Sequence, residues 1–233
     1  MPEEVNRIVT DRVSQLLFCP TQSAVDNLKA EGITAGVHQV GDVMYDAALY
    51  YRDRARAQSD ILERFGLKAE GFVLATCHRA ENTDDPNRLR EICLGLADIA
   101  SMLPVVFPVH PRTRAALLKH RLEACLPRVT LLDPLPFLEI VALEQAAKTI
   151  ITDSGGMQRE AFFYNVPCIT MRDETEWVET VAVGGNRLSG ASREKIVSAY
   201  LSFSDRSITQ LESPFGDGFA ANQIVSILST VAR

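Results

Sequence analysis

Apolar residues along this chain fall into short continuous runs, separated by longer stretches with helical spacing. Leu16-Leu17-Phe18-Cys19, closed by Pro20, reads as a buried parallel strand. Val37–Val40, Phe72–Thr76, Val105–Val109, 129–132, Thr149–Thr152 and Pro167–Met171 read the same way. Pro108 restricts its strand to an edge, a bulge or a strand end. Between these runs the period changes. Residues 3–15 predict a helix, with Val5, Val9 and Val13 in an i,i+4 apolar line. Thr21 caps a second helix, which Gly32 ends. Gly41-Asp42 opens a long helix to about residue 58, and Asp85-Pro86 begins another that ends near Ala100. Further helices are expected over about 112–123, 136–147 and 156–164, and short ones near 175–182 and 192–202. A last amphipathic helix covers 219–231.

Strand–helix alternation at this spacing predicts an α/β fold, an open and mostly parallel sheet with helices on both faces. Eight regular units of a closed barrel would strain a chain of 233 residues. One domain over 1–233 is expected, with 1–15 and 219–233 as flanking helices. In an open sheet the loops at the carboxyl ends of strands converge on one crevice. The unusual polar residues lie in those loops.

Composition narrows the function classes. A formal charge of −6 and a pI near 5.3 argue against a nucleic-acid surface. Arg112, Arg114, Lys119, His120 and Arg121 are more simply one solvated helix face. Five widely spaced cysteines with no CxxC pair predict buried thiols in a reducing, cytoplasmic setting. No apolar run reaches the length needed for membrane insertion, and the start lacks a signal core. The four histidines are too scattered for a metal site, and no Walker, dinucleotide or nucleophile-elbow motif occurs.

Four polar clusters follow strands. The most informative is Asp153-Ser154-Gly155-Gly156-Met157-Gln158-Arg159-Glu160 after Thr149–Thr152. Paired glycines between a strand and a helix let a ligand approach the backbone closely and free the first helix amides for an anion. Glu160, about one and a half turns on, is placed for neutral hydroxyls beside phosphates. An ordinary βα turn is the alternative. Cys77-His78-Arg79-Ala80-Glu81-Asn82 offers a proton donor and positive charge for a leaving diphosphate, with Glu81 expected to orient Arg79. A helix cap is the plainer role for His78. In His110-Pro111-Arg112 the arginine either binds phosphate or fixes the loop. After Met171, Arg172 is positioned for the same anion and Thr175 for a helix cap; a solvated loop is the alternative. Trp177 reads as packing rather than a base platform.

In these motifs the chain resembles the carboxyl-terminal part of the non-hydrolysing UDP-N-acetylglucosamine 2-epimerases. The matching pieces run in family order. They are Met1–Arg7, Val40–Asp46, Cys77–Asn82, Pro108–Arg112, Asp153–Glu160 and Arg172–Glu176. The resemblance implies a Rossmann-like half of a GT-B architecture, with UDP and a UDP-N-acetyl sugar as partners. It also implies an isomerase without cofactor or metal, and a place in cell-surface polysaccharide biosynthesis. The reaction implied is anti elimination of UDP followed by its re-addition, with inversion at C2, interconverting UDP-GlcNAc and UDP-ManNAc.

By the same resemblance, Ser154, Gly155 and Gly156 bind the diphosphate and Glu160 holds the ribose hydroxyls. His78 matches the active-site histidine, with Arg79 and Glu81 as its motif neighbours. His110 and Arg112 fall on the nucleotide side. Ile140 stands where many relatives place a phenylalanine beside uracil, and Phe137 covers part of the same surface. Gly41–Asp46 and Glu174–Glu179 look more like relatives acting on UDP-2,3-diacetamido sugars or their uronic acids. Family members carry a further amino-terminal half holding the acids that move the C2 proton. The expectation is therefore a gene fragment that binds UDP weakly without epimerising alone. A separately encoded amino-terminal half, or further copies in a homo-oligomer, are the expected protein partners. A GT-B glycosyltransferase half and a non-catalytic UDP-sugar-binding module are the other readings.

Overall fold

The computed structural model describes residues 2–203 and 213–231, in two compact units. One unit is Met1–Tyr50 with Glu212–Arg233, and the other is Tyr51–Leu211.

The second unit is built on six parallel strands. Numbered along the whole chain, these are β3 (Val73–Thr76), β4 (Val105–Pro108), β5 (Val129–Leu132), β6 (Thr149–Thr152), β7 (Cys168–Thr170) and β8 (Asn186–Leu188). Their order in the sheet is β5-β4-β3-β6-β7-β8. The chain starts at the centre, winds outward through β4 and β5, then returns beside β3 and winds the other way. β3 and β6 are therefore neighbours whose following loops part in opposite directions, which opens a crevice between them.

Both faces of this sheet are buried, which explains the uninterrupted apolar runs. Period-two alternation sorts the side chains. Val73, Ala75, Val105, Phe107 and Ile151 pack with the helices Pro86–Ala100 and Arg193–Phe203 through Leu89, Ile92, Leu96, Ile196 and Tyr200. Phe72, Leu74, Val106 and Ile150 face Ile61, Val141, Leu143 and Ala161 on the other side. Pro108 is the last residue of β4, an interior strand, so its missing donor falls at the strand end.

Three details depart from the pattern expected. The helix after His110 is Pro111–Lys119 and stops early, because Arg121 takes a left-handed φ of 55°. A 3-10 turn, Leu122–Cys125, follows it. The short helices Ile61–Arg64 and Ala80–Thr83 and the strand β8 had no periodic signal. β8 is three residues, Asn-Arg-Leu, and too polar to read as a strand.

In the other unit, β1 (Leu17–Cys19) and β2 (Val37–Gln39) pair in parallel beside the helix Gln22–Ala30, and Thr21 Oγ1 accepts from Ala24 N at 3.3 Å. Gly41 takes φ +87°, and a side chain there would meet Phe215 O at 2.8 Å. The Asp46 carboxylate accepts from Ala220 N (3.1 Å) and Ala221 N (2.7 Å), capping the helix Ala220–Val231. The apolar line of the helix Pro2–Val13 is exposed at Val5, Val9 and Val13. Among the described residues, no helix is long and apolar enough to cross a membrane.

One core residue breaks the pattern. Glu144, on the buried helix Phe137–Ala146, is 1% exposed, and neither carboxyl oxygen has a hydrogen-bond partner. Burial and nearby Glu160 push its carboxyl well above the ordinary value of 4.5. The unfolded chain ionises Glu144 at that ordinary value. The native chain therefore loses stability as pH rises from there through the raised value, whereas a leucine would not titrate. Glu144→Leu is expected to stabilise the protein by about 1–3 kcal/mol at about pH 8, with the gain shrinking toward about pH 4. Thermal melts of both proteins across that range check it, and a pH-independent difference would contradict it.

Candidate functional site

The crevice is fixed from the strand ends outward. Thr76 and Thr152 end β3 and β6 in register, and their hydroxyls bond to each other at 2.7 Å. Thr152 Oγ1 also accepts from Ser154 N at 2.9 Å. The next residue, Asp153, is fully buried. Its carboxylate accepts from His78 N (3.0 and 3.1 Å), Arg79 N (3.0 Å) and Asn82 Nδ2 (3.1 Å), and its carbonyl accepts from Arg79 Nε at 3.2 Å. A buried charge is tolerated when such donors surround it, and the donors would otherwise be orphaned. His78 Nδ1 lies 3.5 Å from Asp153 Oδ1, so the same carboxylate holds both backbone and ring. Buried Asn82 also donates to Met171 O at 3.0 Å, tying in the end of β7.

Ser154 begins the helix Gly155–Phe163, its hydroxyl accepting from Met157 N at 3.4 Å. A methyl on Gly156 would meet nothing closer than Ser154 Oγ at 3.8 Å and Glu160 Oε2 at 4.0 Å. Thus Ser154, Gly156 and Glu160 share one side of the helix start. Burial pushes the Glu160 carboxyl up, with Arg159 opposing. On the other side Gly155 faces Glu176 and Trp177. Arg172, 8% exposed, donates through Nη1 to Glu176 Oε2 at 2.6 Å, and Arg79 Nη2 is 3.5 Å from Glu176 Oε1.

Beside the helix start is a cavity of about 200 Å³. Pro108, Pro134, Leu135, Ile140 and Met157 form its apolar wall, with Thr76, Cys77, His78, His110 and Ser154 around it. The rings of His78 and His110 are 5.8 Å apart. His110 Nδ1 accepts from Arg112 N at 3.2 Å, which places the proton of the neutral ring on Nε2. The Cys77 thiol is pushed well above its ordinary value by burial and by Asp153, so it stays protonated. Among the described residues, no group of His, Cys, Asp or Glu is placed to hold a metal ion.

The structure brings His78, Arg79, Ser154, Gly155, Gly156, Glu160 and Arg172 to one rim, with His110 and Ile140 at the cavity. Arg112 instead turns to Asp84, at 2.9 and 3.0 Å. Phe137 is 54% exposed, edge-on to Tyr51 at 5.0 Å, and does not line the cavity. Glu81 approaches Arg172 Nε at 3.5 Å rather than orienting Arg79. Thr175 caps no helix, since the next one begins at Val178. Its hydroxyl donates to Gln158 Oε1 (2.6 Å) and accepts from Trp177 N (3.0 Å), and Asn186 Nδ2 reaches the same Gln158 oxygen at 3.2 Å. Trp177 packs under the Arg159 guanidinium, 4.1 Å from its ring centre. Asp153, Asn82 and Gln158 lie within the sequence motifs, which assign them no role of their own. The available signal was an acidic residue closing an apolar strand, where only loop amides could neutralise it.

The UDP-N-acetylglucosamine 2-epimerase family matches the chain over residues 1–229. The chain belongs to this family. Among its members, the UDP-2,3-diacetamido-2,3-dideoxy-D-glucuronate 2-epimerase of Pseudomonas aeruginosa is 46% identical over 98% of the chain. A UDP-N-acetylglucosamine 2-epimerase homolog of Methanococcus maripaludis is 45% identical over 98% of the chain. In both, the match spans 64% of the relative's length. The crystal structure of the Methanocaldococcus jannaschii UDP-GlcNAc 2-epimerase in complex with UDP-GlcNAc and UDP superposes with a TM-score of 0.89 at 38% identity. That alignment covers 99% of this chain and 65% of the other. The six-stranded parallel sheet is thus the Rossmann-like half of a GT-B architecture expected from the sequence.

Asp153→Asn would turn an amide donor toward amides that now share a carboxylate. The expected loss is about 2–3 kcal/mol of stability, with faster hydrogen exchange at the His78 and Arg79 amides. Urea denaturation and exchange measured on both proteins check this, and an unchanged midpoint would contradict the anchoring role.

Proposed function

We propose that this chain binds the UDP portion of a UDP-N-acetyl sugar and serves in epimerisation at C2 of that sugar. The observation that carries the reading is the helix start at Ser154-Gly155-Gly156 at the β3/β6 crevice, to which buried Arg172 is joined through Glu176. Free helix amides and a guanidinium suit a diphosphate. Glu160, on the Gly156 side, accepts from the ribose hydroxyls, and the cavity walled by Ile140 and Pro134 takes the uracil ring. Family membership supports the reading, as does the UDP bound by the Methanocaldococcus relative.

In this reaction the C2 proton leaves to a base, the C1–O bond breaks, and its electron pair stays on the diphosphate. A C1–C2 double bond forms; UDP then re-forms the bond to C1 while a proton is delivered to C2 on the face opposite the one it left, which completes epimerisation. The helix amides, Arg172 and Arg79 oppose the charge that develops on the leaving oxygen, where preorganised donors act most strongly. His78, oriented by Asp153, stands at the cavity for proton transfer. The sugar is proposed as N-acetylglucosamine. The Pseudomonas relative favours a second reading, a 2,3-diacetamido uronic acid. Five unpaired cysteines suit a reducing, cytoplasmic setting.

Two substitutions test the nucleotide assignment by calorimetric titration. Gly156→Ala adds a methyl that the fold accommodates, so the melting temperature holds or rises slightly, while UDP affinity falls at least about ten-fold. Glu160→Gln removes a charged acceptor and is expected to weaken UDP binding by about 1–3 kcal/mol. Unchanged UDP affinity in both, with normal melting, would overturn the assignment.

A further inference from the structure

The Glu176 carboxylate lies against the first residue of the phosphate-facing helix. Its Oε1 takes the space that a side chain on Gly155 would need and is 3.5 Å from Arg79 Nη2. Its Oε2 accepts from Arg172 Nη1 at 2.6 Å. Arg172 is more than nine-tenths buried, yet its Nε has no hydrogen-bond partner, since Glu81 comes only to 3.5 Å. A guanidinium this buried, with one donor left unmatched, points to a ligand with more acceptor oxygens than one carboxylate provides. A diphosphate has those oxygens. It also needs the same two arginines and the same helix start, and a second anion beside it would repel it.

The mobility of the parts differs. Glu176 is 43% exposed along its side chain and can swing to water without opening the core, whereas Arg172 is 9% exposed and cannot. The loop backbone need not follow, because Thr175 is held from the other side by Gln158.

We infer that Glu176 is a built-in competitor for the diphosphate subsite: its carboxylate positions Arg79 and Arg172 and is exchanged for ligand phosphate oxygens on binding. This rests on the reading of the crevice as a UDP site and adds to it a residue that sets affinity. Glu176 acts through the arginines and is a positioning residue. It also sharpens selection. Only a ligand carrying enough negative charge to replace the carboxylate gains both guanidiniums, so a nucleoside without phosphates gains nothing from the exchange.

The test is calorimetric titration of the wild type, Glu176→Gln and Glu176→Ala with UDP, inorganic pyrophosphate and uridine. Both variants are expected to bind UDP and pyrophosphate about ten-fold tighter than the wild type, with uridine affinity unchanged. A merely structural carboxylate would give the opposite sign. Equal or weaker UDP binding by variants that melt like the wild type overturns the inference while leaving the UDP site standing. A similar gain for uridine also overturns it, as that would mean general loosening. Failure of the wild type to bind either UDP or pyrophosphate overturns the site and this inference together. If both variants unfold, the carboxyl carbon resonance of Glu176 in the wild type decides the matter. Pyrophosphate should move it toward its free-solution value, and an unmoved resonance at saturation contradicts the exchange.

Discussion

A single buried carboxylate, that of Asp153, holds the ends of three strands in one arrangement. Two loop amides and the Asn82 side chain donate to it, and Asn82 carries the link on to Met171. Each donor lies where a loop leaves a parallel sheet and has no ladder partner, so the ion satisfies groups that water cannot reach. The consequence is geometric. The loop bearing His78 is held by the residue from which the chain enters the helix beginning at Gly155, so the two are tied together.

Around that anchor the site divides into rigid and adjustable parts. The helix start, buried Arg172 and the apolar wall at Pro108, Pro134 and Ile140 are set by the core beneath them. Glu81, Arg79 and Glu176 are more exposed; the pairs Arg79–Glu176 and Arg172–Glu81 stand at 3.5 Å, and Glu176 comes close only to Arg172, at 2.6 Å. Fixed dipoles near a partly excluded cavity suit stabilisation of a developing charge, because they need little reorganisation. The exposed charges suit exchange with a ligand, because their pairs are weak in water.

Much of this was legible in the chain. Continuous apolar runs marked seven of the eight described strands within a residue or so, because parallel strands buried on both faces have no polar alternation to blur them. Paired glycines after β6 marked the anion site for a reason that lies wholly in the backbone. What stayed hidden was decided by packing at a distance. β8 is polar because Asn186 serves Gln158 and Thr180 across the sheet end. The partners of Glu81 and Arg112 depend on how loops far apart in sequence meet, and spacing carries no such information. Phe137 sat one turn from Ile140, yet the helix turns it to Tyr51 instead of the cavity. Glu144 carries no sign of burial in the sequence, yet its neighbours Val141, Ala142, Leu143 and Ala146 are buried with it.

The central claim is that the crevice between β3 and β6 is a diphosphate site with a base pocket beside it. A crystal structure of this chain with UDP tests it most directly. The account predicts phosphate oxygens within hydrogen-bonding distance of the Gly155 and Gly156 amides and of Arg172, with uracil against Ile140 and the ribose on Glu160. UDP seated elsewhere on the chain, with its phosphates remote from Ser154–Gly156, would contradict it.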